Sequence, residues 1–256
     1  MQINWSKYWY SVLPVAGLVL FWELSDSLNL VNSSLIPPPS KILKALVEWT
    51  RSGELFYDFY TSIWRGLSGL LIGSSIGILL GLMTGRNNKL NLLFTPIMNV
   101  FKAFPPVAML PIFITFFGIG DFSKVFAISF ASIFPLWVNT HLGSSSIPVE
   151  FIRSAKILST SKLSTFLKII VPASMNSIIA GFRISIAISF IMLYVSELAG
   201  ASNGLGYQIS SSHLSYRMDK MFAALIMLGL TASFIDLLFN RVIRHFFPWV
   251  QLSKVM

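Results

Sequence analysis

Apolar residues in this chain are gathered into long runs separated by short polar stretches. A helix needs roughly 20 such residues to cross about 30 Å of hydrocarbon. The pattern predicts spans near residues 8–24, 67–84, 92–117, 122–138, 178–198 and 221–239. The third is interrupted by KAFPPVAMLP, where Pro105, Pro106 and Pro111 lack amide donors and Lys102 adds a charge. Broken backbone at membrane depth is tolerated where protein buries it or a water-filled cavity borders it. A break beside a transport path and a simple kink both fit that pattern.

Between the first two spans, the prolines of IPPPSKI (Ile36–Ile42) forbid a helix until Ser40. Ser40 is a suitable cap for the amphipathic segment that follows. That segment places Leu43, Leu46 and Val47 on one side, either on the membrane surface or against the bundle. Within the second span Gly69, Gly73, Gly77, Gly81 and Gly85 recur every fourth residue. Such a ridge predicts a tight seam, because two backbones approach closely where no side chain intervenes.

The polar stretch VEFIRSAKILSTSKLSTFLKIIVP, Val149 to Pro172, carries Arg153, Lys156, Lys162 and Lys168, and it cannot lie inside a bilayer. Leu163, Phe166, Leu167 and Ile170 fall at i, i+3, i+4 and i+7, one helical face. Phe151, Ala155 and Leu158 form an earlier stripe after Glu150, and Ser159, Thr160 and Ser161 read as a turn. The prediction is two short helices that enter the next span after Pro172. A soluble partner could grip such a hairpin, and its lysines would equally suit an anionic lipid surface.

Composition agrees with a multispanning membrane protein: 54% of residues are hydrophobic and 11% charged, against about 25% charged in soluble domains. Residues 1–61 read as an N-terminal span with its proline-rich segment and surface helix. Residues 62–256 read as the core, containing the loop 142–175. The net charge of +9 fits Lys- and Arg-rich cytoplasmic loops better than nucleic-acid binding. Placing both termini inside puts Asp26, Glu48, Glu54, Asp58, Asp121 and Asp219 outside, and makes the 149–172 stretch cytoplasmic.

The chain has no cysteine, which excludes disulfides and thiolate chemistry. His141, His213 and His245 are scattered, so no metal site is expected. No catalytic motif stands out, and no G-x-x-x-x-G-K-[ST] run cradles a nucleotide. Ionisable residues at membrane depth are functional candidates by default. Lys102 and Arg183 either attract an anion in a path or pair structurally with Glu197 or Asp236. Glu197 precedes the glycine-rich segment 200–206 and fits an outer gate.

The 149–172 stretch resembles the cytoplasmic loop of permease subunits of binding-protein-dependent ATP-binding-cassette importers. That family's signature is Glu-Ala-Ala, three residues, Gly, nine residues, Ile, one residue, Leu-Pro. Ala155, Ile169 and Pro172 match at full spacing, while Arg153, Ser154, Ser159 and Val171 depart from it. IPPPSKI, FPPVAMLPIFITFFGIGDFSKV (Phe104–Val125), AGFRI (Ala180–Ile184) and SELAGASNGLGYQI (Ser196–Ile209) resemble the nitrate, sulfonate, taurine and bicarbonate branch.

The resemblance implies an all-α type I importer permease with about six spans and a cytoplasmic coupling helix, in the cell's inner membrane. It implies a second permease copy, two cytoplasmic ATPase subunits carrying ATP and Mg, and a substrate-binding protein outside. The cargo would be a small oxyanion. The alternatives are an ATP-independent channel or secondary transporter, and a permease for a pyrimidine vitamin precursor.

Overall fold

The computed structural model describes residues 5–157 and 161–249. Among these the chain is all-helical: α1 (Trp5–Ser27), α2 (Pro39–Arg51), α3 (Glu54–Arg86), α4 (Asn88–Ala103), α5 (Pro106–Phe117), α6 (Asp121–Ser145), α7 (Val149–Ile157), α8 (Lys162–Thr165), α9 (Val171–Leu198), α10 (Leu205–Leu214) and α11 (Met218–Phe246). A π-helical turn, Phe166–Ile170, joins α8 to α9.

Among the described residues four units are long and apolar enough to cross a membrane: α3, α6, the continuous Lys162–Leu198 stretch and α11. Helices α4 and α5 qualify only as a pair, bent by 96° at their break, which makes a fifth span if they are counted together. Helix α1 is not among them, so the expected six spans become four or five by this measure. Aromatic and hydroxyl residues at its start, and Glu23, Ser25 and Asp26 near its end, dilute its apolar run.

The centre of the bundle is the seam between α3 and α6. A methyl group added at Gly77 would lie 2.6 Å from the Ile133 carbonyl oxygen and 2.9 Å from Leu136 Cβ. Gly69, Gly73, Gly81 and Gly85 meet the same helix with comparable closeness. Hydroxyls fasten α9 to α6 beside that seam: Ser132 and Ser189 share a bond of 2.7 Å, and Ser185 donates to the Ser132 carbonyl at 3.0 Å. Leu70, Ile128, Ala131, Ile186, Phe190 and Leu193 fill the space between the three helices.

Helix α3 starts at Glu54, well before the expected Leu67, and runs unbroken past residue 62. Its early polar residues Asp58, Ser62 and Arg65 are buried against other helices instead of facing water. Helix α2 packs on α11 and α3. It buries Ile42, Ala45 and Trp49, while Leu43 and Val47 are exposed, so the expected apolar face is rotated. Ser40 is not the cap either: the helix begins at Pro39, and the Ser40 amide donates to Glu23 of α1 at 3.0 Å. A carboxylate there also suits the positive end of the helix dipole.

The second loop helix is not separate from the next span. It continues into α9 through the π turn that ends just before Pro172. Proline has no amide hydrogen and its ring presses on the preceding turn. A wider π turn absorbs that mismatch without breaking the helix.

Candidate functional site

A cavity of about 550 Å³ opens between the α4–α5 break, α6 and α9. Lys102 and Pro106 come from the break, with Val107 beside them. Helix α6 contributes Ala131, Phe134, Pro135, Val138 and Asn139, and α9 contributes Ile184, Ile188, Ile191 and Met192. Lys102 is the one charged residue among those lining it, and its ammonium sits 6.0 Å from the centre of the Trp137 ring. Pro105 caps α5 without a side-chain bond, so the chain turns there with no amide donors at 105 and 106.

Arg183 and Glu197 do not line this cavity. Arg183 lies 3.6 Å from Asp236 of α11, and Asp236 also holds Asn240 at 2.9 Å. Glu197 is fully buried at the end of the bundle away from the 149–170 loop. Arg183 is thus paired with Asp236, while Glu197 is paired with Arg65 and with neither Lys102 nor Arg183.

Glu197 belongs to a node that the sequence reading did not single out. Arg65 donates from Nη1 to Glu197 at 2.9 Å and to the Asn203 carbonyl at 2.8 Å. Its Nε reaches Asp121 at 2.8 Å and its Nη2 reaches the Asn203 side chain at 2.7 Å. The first turn of α10 is capped by three side chains from other helices. The amides of Gly204, Leu205 and Gly206 donate to Asp58, Ser62 and Glu197 at 2.7, 2.8 and 2.8 Å. Orphan helix amides and two carboxylates thereby satisfy one another. A side chain at Gly204 would run into the Glu197 carboxylate, and the backbone there has φ +116°. Asp58, Ser62 and Arg65 recur at i, i+4 and i+7 and continue the glycine ridge, a periodicity that was available in the sequence.

Among the described residues of the 149–170 loop the exposed side chains are Val149, Glu150, Phe151, Arg153, Ser154, Ile157, Ser161, Lys162, Leu163, Leu167 and Lys168. Phe151 is 60% exposed and Leu163 68%. Two residues expected on the gripping face point inward instead. Ala155 is buried, and Phe166 packs with Leu82, Ile147, Ile170 and Ile178. Ile169 and Pro172 are half-buried. Ser161 caps α8 by accepting from the Ser164 amide at 3.1 Å. Leu158, Ser159 and Thr160 lie outside the described residues. His141 bonds Thr84 at 2.9 Å, and no metal-binding group of three side chains occurs among the described residues.

The apolar spans, the bent pair and the glycine seam define a multispanning all-helical membrane protein. The chain belongs to the family of binding-protein-dependent transport system inner membrane components, which it matches over residues 73–252. A Bacillus subtilis permease protein named for aliphatic sulfonates transport, SsuC, is 30% identical over 95% of this chain and 88% of its own length. The Escherichia coli taurine transport system permease protein TauC is 26% identical over 93% and 89%. The nitrate import permease protein NrtB of Leptolyngbya laminosa is 28% identical over 76% and 70%. Among solved structures, the inward-facing MetNI methionine ABC transporter superposes with a TM-score of 0.61 at 18% identity, covering 78% of this chain and 97% of that one. The last likeness is one of fold.

Proposed function

We propose that this permease forms the path for an organic oxyanion of the sulfonate or taurine type, handed over by a binding protein outside. The observation that carries the reading is the cavity with one ammonium in an apolar wall. An inorganic ion would lose its hydration there and find few polar groups to replace it. A sulfonate can set its head group on Lys102 and lay its carbon chain on Phe134 and Ile188, gaining about 25 cal/mol per Å² of apolar surface buried. The names of the sulfonate and taurine relatives support the same cargo.

On this reading the 149–170 loop faces the cytoplasm and seats on one of the two ATPase subunits through Phe151, Ile157, Leu163 and Lys162, and α1 crosses as a sixth span, which puts both termini on that side. A second copy of the permease covers the exposed apolar surface of α4 and α5, where Leu92, Leu93, Val100 and Phe116 find no cover in the monomer. ATP and Mg stay on the ATPase. The test is uptake of a labelled alkanesulfonate and of labelled nitrate by the assembled importer. Lys102→Glu should lower sulfonate uptake at least about tenfold without lowering the yield of folded protein. Undiminished uptake, or faster uptake of nitrate than of sulfonate by the unmodified protein, would overturn the assignment.

A further inference from the structure

The Arg65 node has two arms of very different character. On one side the guanidinium meets Glu197, which has no exposed surface, and the Asn203 carbonyl. On the other side it meets Asp121, whose side chain is 59% exposed. A buried pair is held because breaking it strands a charge away from water. Asp121 can exchange the guanidinium for water, and Arg65, only 4% exposed, then still keeps Glu197 as its counter-charge. Arg65 is therefore fixed to α9 and to the 199–204 segment, and Asp121 is the arm that can let go without stranding a buried charge.

The place of each partner gives this asymmetry a consequence. Asp121 is the first residue of α6, and Glu197 lies in the last turn of α9. The cavity is walled by the middles of those two helices. The turn 118–120, which brings α5 into α6, touches the segment after α9: a methyl group added at Gly200 would lie 3.2 Å from Ile119. The salt bridge thus spans the ends of the two cavity walls and draws the two turns together. Lys124, buried one helical turn along, donates to the Gly120 carbonyl at 3.0 Å and fixes the same turn.

We propose that Arg65 is a positioning residue for transport, a latch between α6 and α9 that keeps the cavity shut toward the far side until Asp121 lets go. Glu197 and Asn203 keep the arginine in place through the cycle, and Asp121 is the arm that opens. The proposal rests on the orientation given under the proposed function, with the node outside and the 149–170 loop inside.

The protein has no cysteine, so single cysteines report without background. Two are placed in the importer assembled with its ATPase and binding protein in vesicles. Ile191→Cys, 59% exposed, lines the cavity, and Tyr216→Cys, 84% exposed between α10 and α11, marks the side on which this end lies. An impermeant maleimide should label Tyr216→Cys only from the side opposite the ATPase, whatever the state of the latch. It should label Ile191→Cys slowly from that side. Asp121→Asn should raise the Ile191→Cys rate about fivefold or more, and Asp121→Glu should restore the slow rate.

An unchanged rate in Asp121→Asn overturns the latch. So does failure of Asp121→Asn to assemble, because a carboxylate this exposed would then be needed for the fold and not for gating. Labelling of Tyr216→Cys from the ATPase side would instead refute the orientation.

Discussion

Replacing Gly77 by alanine puts one methyl group into the closely packed seam between α3 and α6. Its nearest neighbours would be the Ile133 carbonyl oxygen at 2.6 Å, Leu136 Cβ at 2.9 Å and the Trp137 amide nitrogen at 3.2 Å. These are backbone or backbone-proximal atoms of α6, so no rotamer change can clear them. Restoring ordinary contact at 3.4 Å requires α3 and α6 to part by about 0.8 Å, and a gap of 0.5–1 Å forfeits roughly a quarter to a half of each contact's attraction. Overpacking of this kind costs about 1–3 kcal/mol. Alanine's better helix propensity returns at most about 1 kcal/mol. Because the clash is with backbone atoms the cost lies in the upper half of that range, and the net loss of about 1–2 kcal/mol corresponds, for a chain of this size, to a melting temperature lower by roughly 2–8 °C. The assay is thermal unfolding of the purified permease in mild detergent. Gly229→Ala is the internal control, because nothing lies within 4 Å of the added methyl group, and it should melt at or slightly above the unmodified temperature. The reasoning fails if Gly77→Ala melts with the unmodified protein, or if the control falls as far as Gly77→Ala does.

Glu197→Ala should be among the most damaging substitutions in the chain, costing about 3–5 kcal/mol, since it strips Arg65, Ser62 and the Gly206 amide of an acceptor; folded yield and melting temperature report it. Gly204→Ala adds left-handed strain to a clash with that carboxylate, and should cost about 1–3 kcal/mol by the same melt. In the loop, Phe151→Ala combined with Lys162→Glu should leave the melting temperature within about 2 °C, because both side chains face solvent. The same double variant should reduce solute moved per ATP hydrolysed by the assembled importer. Phe166→Ala, which hollows an inward-facing cluster, should instead lower the melting temperature by several degrees, as a loss of about 2 kcal/mol would.

Much of this architecture was legible from the chain alone, for physical reasons that particular residues show. The apolar runs that became α6, α9 and α11 are long because lipid and neighbouring helices leave no room for charge. The glycines of α3 are spaced at four because the face they make lies on α6. The runs failed as guides where polar groups are satisfied inside the bundle. Asp58, Ser62 and Arg65 look like a loop until α9 and α10 supply their partners, so the true start of α3 was hidden. The face of α2 was misplaced because Ile42, Ala45 and Trp49 make an apolar stripe as plausible as Leu43, Leu46 and Val47, and only the position of α11 decides between them. The cavity was half visible: the prolines at 105 and 106 and Lys102 marked the break, but its walls from α6 and α9 are ordinary apolar residues that nothing local distinguishes. In the loop, alternate apolar residues serve two masters. Ala155 and Phe166 hold it to the bundle, while Phe151 and Leu163 are left free for a partner.

The central claim, that this bundle moves solute only when a motor pulls on the 149–170 loop, is tested most directly by sulfonate uptake into vesicles with and without the ATPase. The account predicts uptake that requires both ATP and the ATPase, and that falls at least about tenfold when Leu163, 68% exposed on that loop, is changed to aspartate in an otherwise stable protein. Uptake at full rate by vesicles holding the permease alone would contradict it.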